Sequence, residues 1–496
     1  MSPRYDAVIV GAGFGGMGAA IQLKRLGHDN LLILEREDDL GGTWHVNRYP
    51  GLAVDIPSST YSYSFEPNPN WSRLFAPGEE LKRYAEHVAG KYGLRGSMRF
   101  GTTVTGATWE DDHWRVTVAG GEPVTARYLV TATGFLSQPR TPDIAGINSF
   151  QGKVIHTAAW DGSDLTGRRV AIIGTGATAV QLIPELARTA AALTVYQRTP
   201  IWVSPKPDYR IPHPVRRLFA RSPLVQRAVR LLGSSVLELM MISGVVHYKQ
   251  LRAANRLAER WCRAHLHRQV RDPALRRALT PDYSFGCKRP TFSNDYFPAF
   301  TKPHVHLKTA GIDRVDATGI ITADGDRTEI DVLVLATGFN LWDTNFPAFE
   351  VLGRDGRNLG EWWRQNRFQA YEGVTVPGFP NLLSLNSPYA YSGLSYFTTI
   401  ECQMKHMHRL FTAMRARDAD VFEVTQHAND KFLARMRTKV TEDSVFSLGQ
   451  CATARSYYFN QHGEATLLRP TSTISAHRAA ARFPLRDYTY SSARAS

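Results

Sequence analysis

Two stretches of this chain run from an apolar strand through a glycine-rich turn into a helix, and this constrains the fold more than any other feature. The first is Tyr5-Asp6-Ala7-Val8-Ile9-Val10, then Gly11-Ala12-Gly13-Phe14-Gly15-Gly16, with a helix reaching about Leu26. The second is Arg169-Val170-Ala171-Ile172-Ile173, then Gly174-Thr175-Gly176-Ala177-Thr178-Ala179, with a helix reaching about Arg188. Both strands are nearly continuous in apolar residues, as strands buried on two faces are. A lone G-x-G-x-x-G says little, but one that follows a strand and opens a helix is the context a dinucleotide requires. Gly11 and Gly174 permit the tight turn, and Gly13 and Gly176 let the backbone approach a pyrophosphate. Gly16 and Ala179 let the helix pack close to the strand. The helix N-terminus then offers N–H groups and the positive end of its dipole to the phosphates.

The strands that follow differ. Leu31–Leu34 ends in Glu35, placed to accept hydrogen bonds from ribose hydroxyls. Leu193–Tyr196 ends in Gln197-Arg198-Thr199, with no acid. An arginine there suits a 2′-phosphate, which favours NADPH over NADH. Two dinucleotide sites on one chain imply hydride transfer between cofactors, as in a disulfide reductase, an oxidase or an oxygenase. The four cysteines, Cys262, Cys287, Cys402 and Cys451, contain no C-x-x-C pair, which argues against the first.

Length and composition set wider bounds. A chain of 496 residues, 43% apolar and 21% charged, reads as a soluble globular protein of two to four domains. The cysteine usage fits a reducing compartment. The N-terminus shows no signal-peptide pattern, so a cytoplasmic location is expected. The longest apolar stretch, Leu231–Val246, is short and carries Glu238; it reads as a buried or pocket-lining helix rather than a membrane-touching one. The formal charge is +14, and residues 201–290 supply nearly all of it, with 18 Lys and Arg against 5 Asp and Glu. That segment lacks interleaved aromatics and any nucleic-acid motif, so it reads as helices with a basic face. The histidines show no H-x-x-x-H or H-E-x-x-H spacing, and no metal is expected.

Strands are predicted at Arg99–Val104, His113–Val118, Tyr128–Thr133 and Ile330–Leu335, and a helix at Tyr396–Arg417. Residues 208–280 read as mostly helical, broken at Pro212, Pro214, Pro223 and Pro273. The fold class is α/β: two Rossmann-like dinucleotide-binding domains with a helical insertion. The expected divisions are 1–143 for the first part of the first dinucleotide domain, and 144–207 for the linker and first part of the second. The insertion spans 208–280, the second part of the second domain 281–335, and the rest of the first domain with a C-terminal region 336–496.

Three further motifs narrow the class. Phe150-Gln151-Gly152-Lys153-Val154-Ile155-His156-Thr157-Ala158-Ala159-Trp160-Asp161 resembles the fingerprint of type I Baeyer–Villiger monooxygenases, F-x-G-x-x-x-H-x-x-x-W followed by Pro or Asp. Related N-hydroxylating and flavin-containing monooxygenases usually carry Phe or Tyr in place of the tryptophan. Gly41-Gly42-Thr43-Trp44, Tyr49-Pro50-Gly51 and Asp55 resemble the same family's flavin-side motif, and Gly286-Cys287-Lys288-Arg289 is a third match. The resemblance runs from about residue 5 to at least 410.

The resemblance implies FAD and NADPH as cofactors, and oxygen insertion next to a ketone carbonyl through a C4a-peroxyflavin and a Criegee intermediate. Arg289 matches the active-site arginine, and Asp55 the acid that positions it. A guanidinium there stabilises negative charge and cannot act as a base, since its pKa is above about 12. Lys288 matches a residue that holds the 2′-phosphate, with Arg198 and Thr199. Expected cofactor contacts are Gly11, Gly13, Phe14, Gly16, Glu35, Gly42, Thr43, Trp44, Asp55, Tyr61 and Val104 on the flavin side. Gly174, Gly176, Ala177 and Thr178 are expected on the other. His156 and Trp160 match linker residues that couple domain motion rather than perform chemistry.

The chain also departs from the family pattern. Phe135 stands where some ketone oxidisers have Gln, and Ser384-Leu385-Asn386-Ser387-Pro388 lacks a Gly-Pro opening. Arg455-Ser456-Tyr457-Tyr458 stands where a Trp is common, and Leu468-Arg469-Pro470 replaces a Trp-Pro-Gly. Three alternatives therefore stay open: oxygenation of sulfur or nitrogen, an NADPH oxidase or reductase that never oxygenates carbon, and a membrane-surface or anion-binding role for the basic segment.

Overall fold

The computed structural model describes residues 4–385, 387–391, 395–447 and 449–492. In chain order its sheet-forming strands are β1 (Tyr5–Val10), β2 (Leu31–Leu34), β3 (Met98–Arg99), β4 (Val104–Glu110), β5 (His113–Val118) and β6 (Val124–Thr131). There follow β7 (Lys153–His156), β8 (Arg169–Ile173), β9 (Ala192–Tyr196), β10 (Val305–Lys308), β11 (Val332–Leu335), β12 (Glu350–Leu352) and β13 (Leu382–Ser384). The helices that matter below are α1 (Phe14–Arg25), α2 (Ala177–Thr189), α3 (His213–Arg221), α4 (Pro223–Leu237), α5 (Arg252–Gln269) and α6 (Tyr396–Arg415).

The first sheet runs β12-β4-β5-β6-β1-β2-β3, with β13 paired to the far end of β6. Its centre is parallel, Val8 lying opposite Leu32 on one side and Leu129 on the other. The second sheet, β10-β9-β8-β11-β7, is parallel throughout. Parallel strands need crossover helices on the sheet faces, so their residues are buried on both sides. Val8, Ile9, Val170, Ala171 and Ile172 are accordingly inaccessible to solvent. The two glycine units thus sit at the centres of two separate sheets. The connections between those sheets cross near Arg140 and Gly338, whose backbones are hydrogen-bonded at 2.9 Å.

Three expectations need correction. The strand predicted across Arg99–Val104 is two strands. The chain turns at Gly101, where φ is +60°, and the Thr102 N–H donates to the Glu35 carbonyl, which hooks the turn to the end of β2. The Leu231–Val246 stretch is not a buried helix: Leu231, Leu232, Val236 and Leu239 face solvent, and among its side chains described, only Gly244, Val245 and Val246 are buried. The cysteines are not all thiols, because Cys287 and Cys451, 164 residues apart, form a disulfide, leaving Cys262 and Cys402 buried and free. Local spacing detects only neighbouring pairs, so this bond had no signature in the sequence. No helix among the described residues is long and apolar enough to cross a membrane.

Candidate active site

At the first glycine turn the chain cannot carry a side chain. Gly11 has φ +110°, and a Cβ there would lie 2.5 Å from the Ala132 carbonyl oxygen at the end of β6. A Cβ on Gly16 would meet the Gly11 carbonyl at 1.9 Å, so α1 packs on β1 only as glycine. α1 starts from Gly13 with no side-chain cap, leaving its first N–H groups for a ligand. Glu35 is 7% exposed and accepts from the Ala12 N–H at 2.7 Å, which fixes its carboxylate beside the turn.

Gly42, at φ +54°, brings its α-carbon against Gly13 and opens the short helix that carries Thr43 and Trp44. The Trp44 indole N–H donates to the Tyr61 hydroxyl at 3.2 Å, and Phe14 and Phe397 meet the Tyr61 ring edge-on. Val104 is buried in the core shared with Val8, Val10 and Leu34. Glycine backbone, an uncapped helix, a buried carboxylate and an aromatic wall fit a flavin dinucleotide.

The second turn repeats the first. Gly174 has φ +115°, and a Cβ there would meet the Ala336 carbonyl at 2.4 Å. α2 starts from Gly176, again without a side-chain cap, and its first residues are Ala177 and Thr178. The Thr175 hydroxyl donates to the Thr199 carbonyl at 2.8 Å, which ties the loop to the end of β9. Arg198 is exposed there. Burial, then the Arg198 and Arg455 guanidinium groups, push the Lys288 ammonium down to about 8. Burial, Arg455 and Arg140 likewise lower Arg198. Cations gather this closely where an anion such as a 2′-phosphate offsets their repulsion. Arg455 and Arg140 were not foreseen; they lie 315 positions apart in the sequence and share no motif.

The Tyr49–Asp55 segment crosses from the first unit to the second. The Tyr49 hydroxyl donates to the Gln181 side chain of α2 at 3.0 Å, and Gln181 donates back to the Ala53 carbonyl at 2.9 Å. Burial pushes the Tyr49 phenol up to about 12, against a hydrogen bond from Thr178. This strap ends at Asp55, where Arg289 arrives from the loop after the short helix Pro273–Leu279. Nε donates to one Asp55 oxygen at 2.5 Å and Nη2 to the other at 2.9 Å, a bidentate pair. The third nitrogen, Nη1, donates to the Tyr391 hydroxyl at 3.2 Å. Burial alone would raise the Asp55 carboxyl, but the guanidinium reverses this and holds it below the usual range, with help from Lys206. Burial opposes the charge on Arg289 too, yet Asp55 keeps it cationic. Removing one partner of such a pair costs about 3–5 kcal/mol.

Tyrosines surround the pair. Burial pushes the Tyr457 phenol up to about 12 and the Tyr458 phenol well above its ordinary range, and the guanidinium pulls each the other way. Both stay neutral at physiological pH. Phe135 meets the Tyr391 ring edge-on at 5.7 Å, so this departure lies one ring from the guanidinium. Of the Ser384–Pro388 stretch, Asn386 lies outside the described residues. Arg469, in the other departing stretch, is buried in an ion pair with Glu372 at 2.6 Å.

His156 and Trp160 are placed away from the charge pair, and neither ring bonds to Asp55 or Arg289. The His156 Nδ1 accepts from the Ala158 N–H at 3.1 Å, and the ring meets Phe339 edge-on beside the crossing connections. Burial lowers its pKa. Trp160 packs in the core of the second unit with Tyr49 and Ile155.

Comparison with known proteins follows the same outline. The pyridine nucleotide-disulphide oxidoreductase family matches residues 8–221. A Baeyer-Villiger monooxygenase of Pseudomonas aeruginosa is 40% identical over 456 residues, covering 91% of this chain and 85% of that protein. The crystal structure of OTEMO in complex with FAD and NADP superposes with a TM-score of 0.86 at 27% identity, covering 99% of this chain and 100% of that one. Cyclohexanone monooxygenase from Rhodococcus sp. Phi1, bound to NADP+, gives 0.86 at 28% identity with the same coverage.

Proposed function

Because this chain belongs to the Baeyer–Villiger monooxygenase family, we propose that it uses NADPH and O2 to convert a small-molecule ketone into an ester or lactone, with FAD at the Gly11 turn and NADPH at the Gly174 turn. One oxygen atom of O2 enters the product and the other leaves as water, with NADPH supplying the hydride and solvent a proton. The units are residues 1–143 with 336–496 for FAD, and 144–207 with 281–335 for NADPH. FAD, when bound, would supply the redox chemistry: acceptance of the hydride and activation of oxygen.

The observation that carries this reading is the Asp55–Arg289–Tyr391 group at the junction of the two dinucleotide units. Asp55 fixes the guanidinium plane through two bonds, leaving Nη1 and its face to stabilise negative charge that develops on oxygen in the transition state. The rings of Tyr391, Tyr457 and Tyr458 keep water from solvating that charge. Glu35 holds the flavin ribose, while Arg198, Thr199 and Lys288 hold the 2′-phosphate. His156, beside the crossing connections, and Trp160, in the neighbouring core, couple the two units rather than touch substrate.

The test is Arg289→Ala in the FAD-loaded enzyme, assayed on a ketone panel with product mass spectrometry and stopped-flow reduction by NADPH. Ester formation should fall by roughly 100-fold or more while flavin reduction stays within a few-fold. A wild-type enzyme that oxidises thioethers but no ketone, or turns all its NADPH into hydrogen peroxide, contradicts the proposal.

A further inference from the structure

The helical insertion is amphipathic the wrong way round for a water-facing element. On α4, the inward face is Gln226, Arg230, Gly233 and Leu237, at spacings of 4, 3 and 4. Its contacts with the body are mainly polar: the Gln226 amide donates to the Asn68 carbonyl at 2.7 Å, and Arg230 donates to the Ser62 carbonyl at 2.7 Å and approaches Glu401. The outward face, continued through the following turn, carries Leu224, Leu231, Leu232 and Leu239, which are 74%, 69%, 67% and 70% exposed. On α5, Asn255, Cys262 and Leu266 point inward while Leu257 and Trp261, one turn apart, point out at 66% and 56%. Eleven of the thirteen large hydrophobics exposed on the described surface lie between residues 209 and 261. Scattered exposed leucines need no explanation, but exposed apolar residues concentrated in one insertion mark an interaction surface.

The charges specify what covers it. Residues 213–268 hold 11 Lys and Arg against 2 acids. Both acids are engaged with the body: Glu238 accepts from the Thr473 N–H at 2.8 Å, and Glu259 from the Phe285 N–H at 3.1 Å. Arg217, Arg221, Arg227, Arg256 and Arg260 are exposed and enter no ion pair among the described residues. A second copy docking symmetrically would bring this positive face against itself. Leucines and a tryptophan flanked by arginines match instead the boundary between acyl chains and anionic headgroups. No described helix is suited to cross a bilayer, so contact would be at its surface.

We propose that the outward faces of α4 and α5 seat the enzyme on anionic phospholipid surfaces, with the leucines and Trp261 entering the interface and the arginines meeting phosphate headgroups.

The FAD-loaded full-length enzyme is floated with phosphatidylcholine vesicles and with mixed phosphatidylcholine–phosphatidylglycerol vesicles, at low and high ionic strength. Binding should require phosphatidylglycerol and weaken with salt. The triple variant Leu224→Ser, Leu231→Ser, Leu232→Ser should bind at least about tenfold more weakly, with FAD content and NADPH-driven turnover of a water-soluble ketone unchanged. Arg227→Gln with Arg256→Gln and Arg260→Gln should lower binding and flatten its salt dependence. No binding to phosphatidylglycerol vesicles at low salt overturns the proposal, as does undiminished binding by the leucine variant. A lipid-free dimer in sedimentation that the leucine variant abolishes also overturns it, by assigning the face to a second copy.

Discussion

At the Gly11 turn the next strand ends in Glu35, buried and bonded to the turn itself; at the Gly174 turn it ends in Gln197 and an exposed Arg198, with Lys288 nearby. Both turns pack identically against a neighbouring carbonyl, at Ala132 and at Ala336. The backbone is therefore shaped alike at both turns, and the two sites differ in the few side chains beyond the next strand. An enclosed carboxylate suits a cofactor that stays through many turnovers. An open cluster of cations suits a cosubstrate that must leave after each one.

The largest effects come from breaking each turn in isolation. Gly11→Val and Gly174→Val each place a side chain at positive φ against a backbone oxygen under 2.6 Å away. Gly11→Val should purify without FAD. Gly174→Val should keep its FAD absorbance while losing reduction by NADPH by roughly 100-fold or more. Loss of FAD from both would show that the turns do not act independently.

A smaller effect separates the nucleotides. Arg198→Ala should lower kcat/KM for NADPH by about 10- to 100-fold, as expected for one charge-assisted contact, and leave NADH nearly unaffected. Equal losses with both would mean that Arg198 acts on the turn rather than on a 2′-phosphate.

The smallest is a pH effect. Lys288 is depressed to about 8, so in the free enzyme it is charged below that pH and neutral above it. A phosphate favours the protonated form, so NADPH binding takes up a proton above pH 8 or so. KM for NADPH should then rise by up to about tenfold per pH unit, while that for NADH stays flat. Lys288→Met should remove the difference, and parallel profiles for the two nucleotides in wild type would exclude Lys288 as the source.

Much of the scaffold was legible because its signals are local. The continuous apolar runs at β1 and β8 and the glycine spacing after each need only a window of a dozen residues. The Asp55–Arg289 pair spans 234 positions and was reached only through family resemblance. Its surroundings were not: Tyr391 and Tyr457 converge on the guanidinium from separate loops with no shared pattern, and the Cys287–Cys451 bond joins residues 164 positions apart. The insertion failed for another reason. Helical spacing of Leu224, Leu231 and Leu239 identifies an apolar stripe but not which way it faces. Here Gln226 and Arg230 claimed the inward side by bonding to main-chain carbonyls.

The strap from Tyr49 to Asp55 has a mechanical meaning. It is held to α2 by Gln181 at both Tyr49 and Ala53, and a Cβ on Gly51 would stand 2.8 Å from the Gln181 carbonyl. It is a tether of seven residues, fastened at one end to the helix after the second glycine turn and ending at the carboxylate that grips the guanidinium, so the spacing between α2 and Arg289 is set by a short run of backbone rather than by side-chain packing alone.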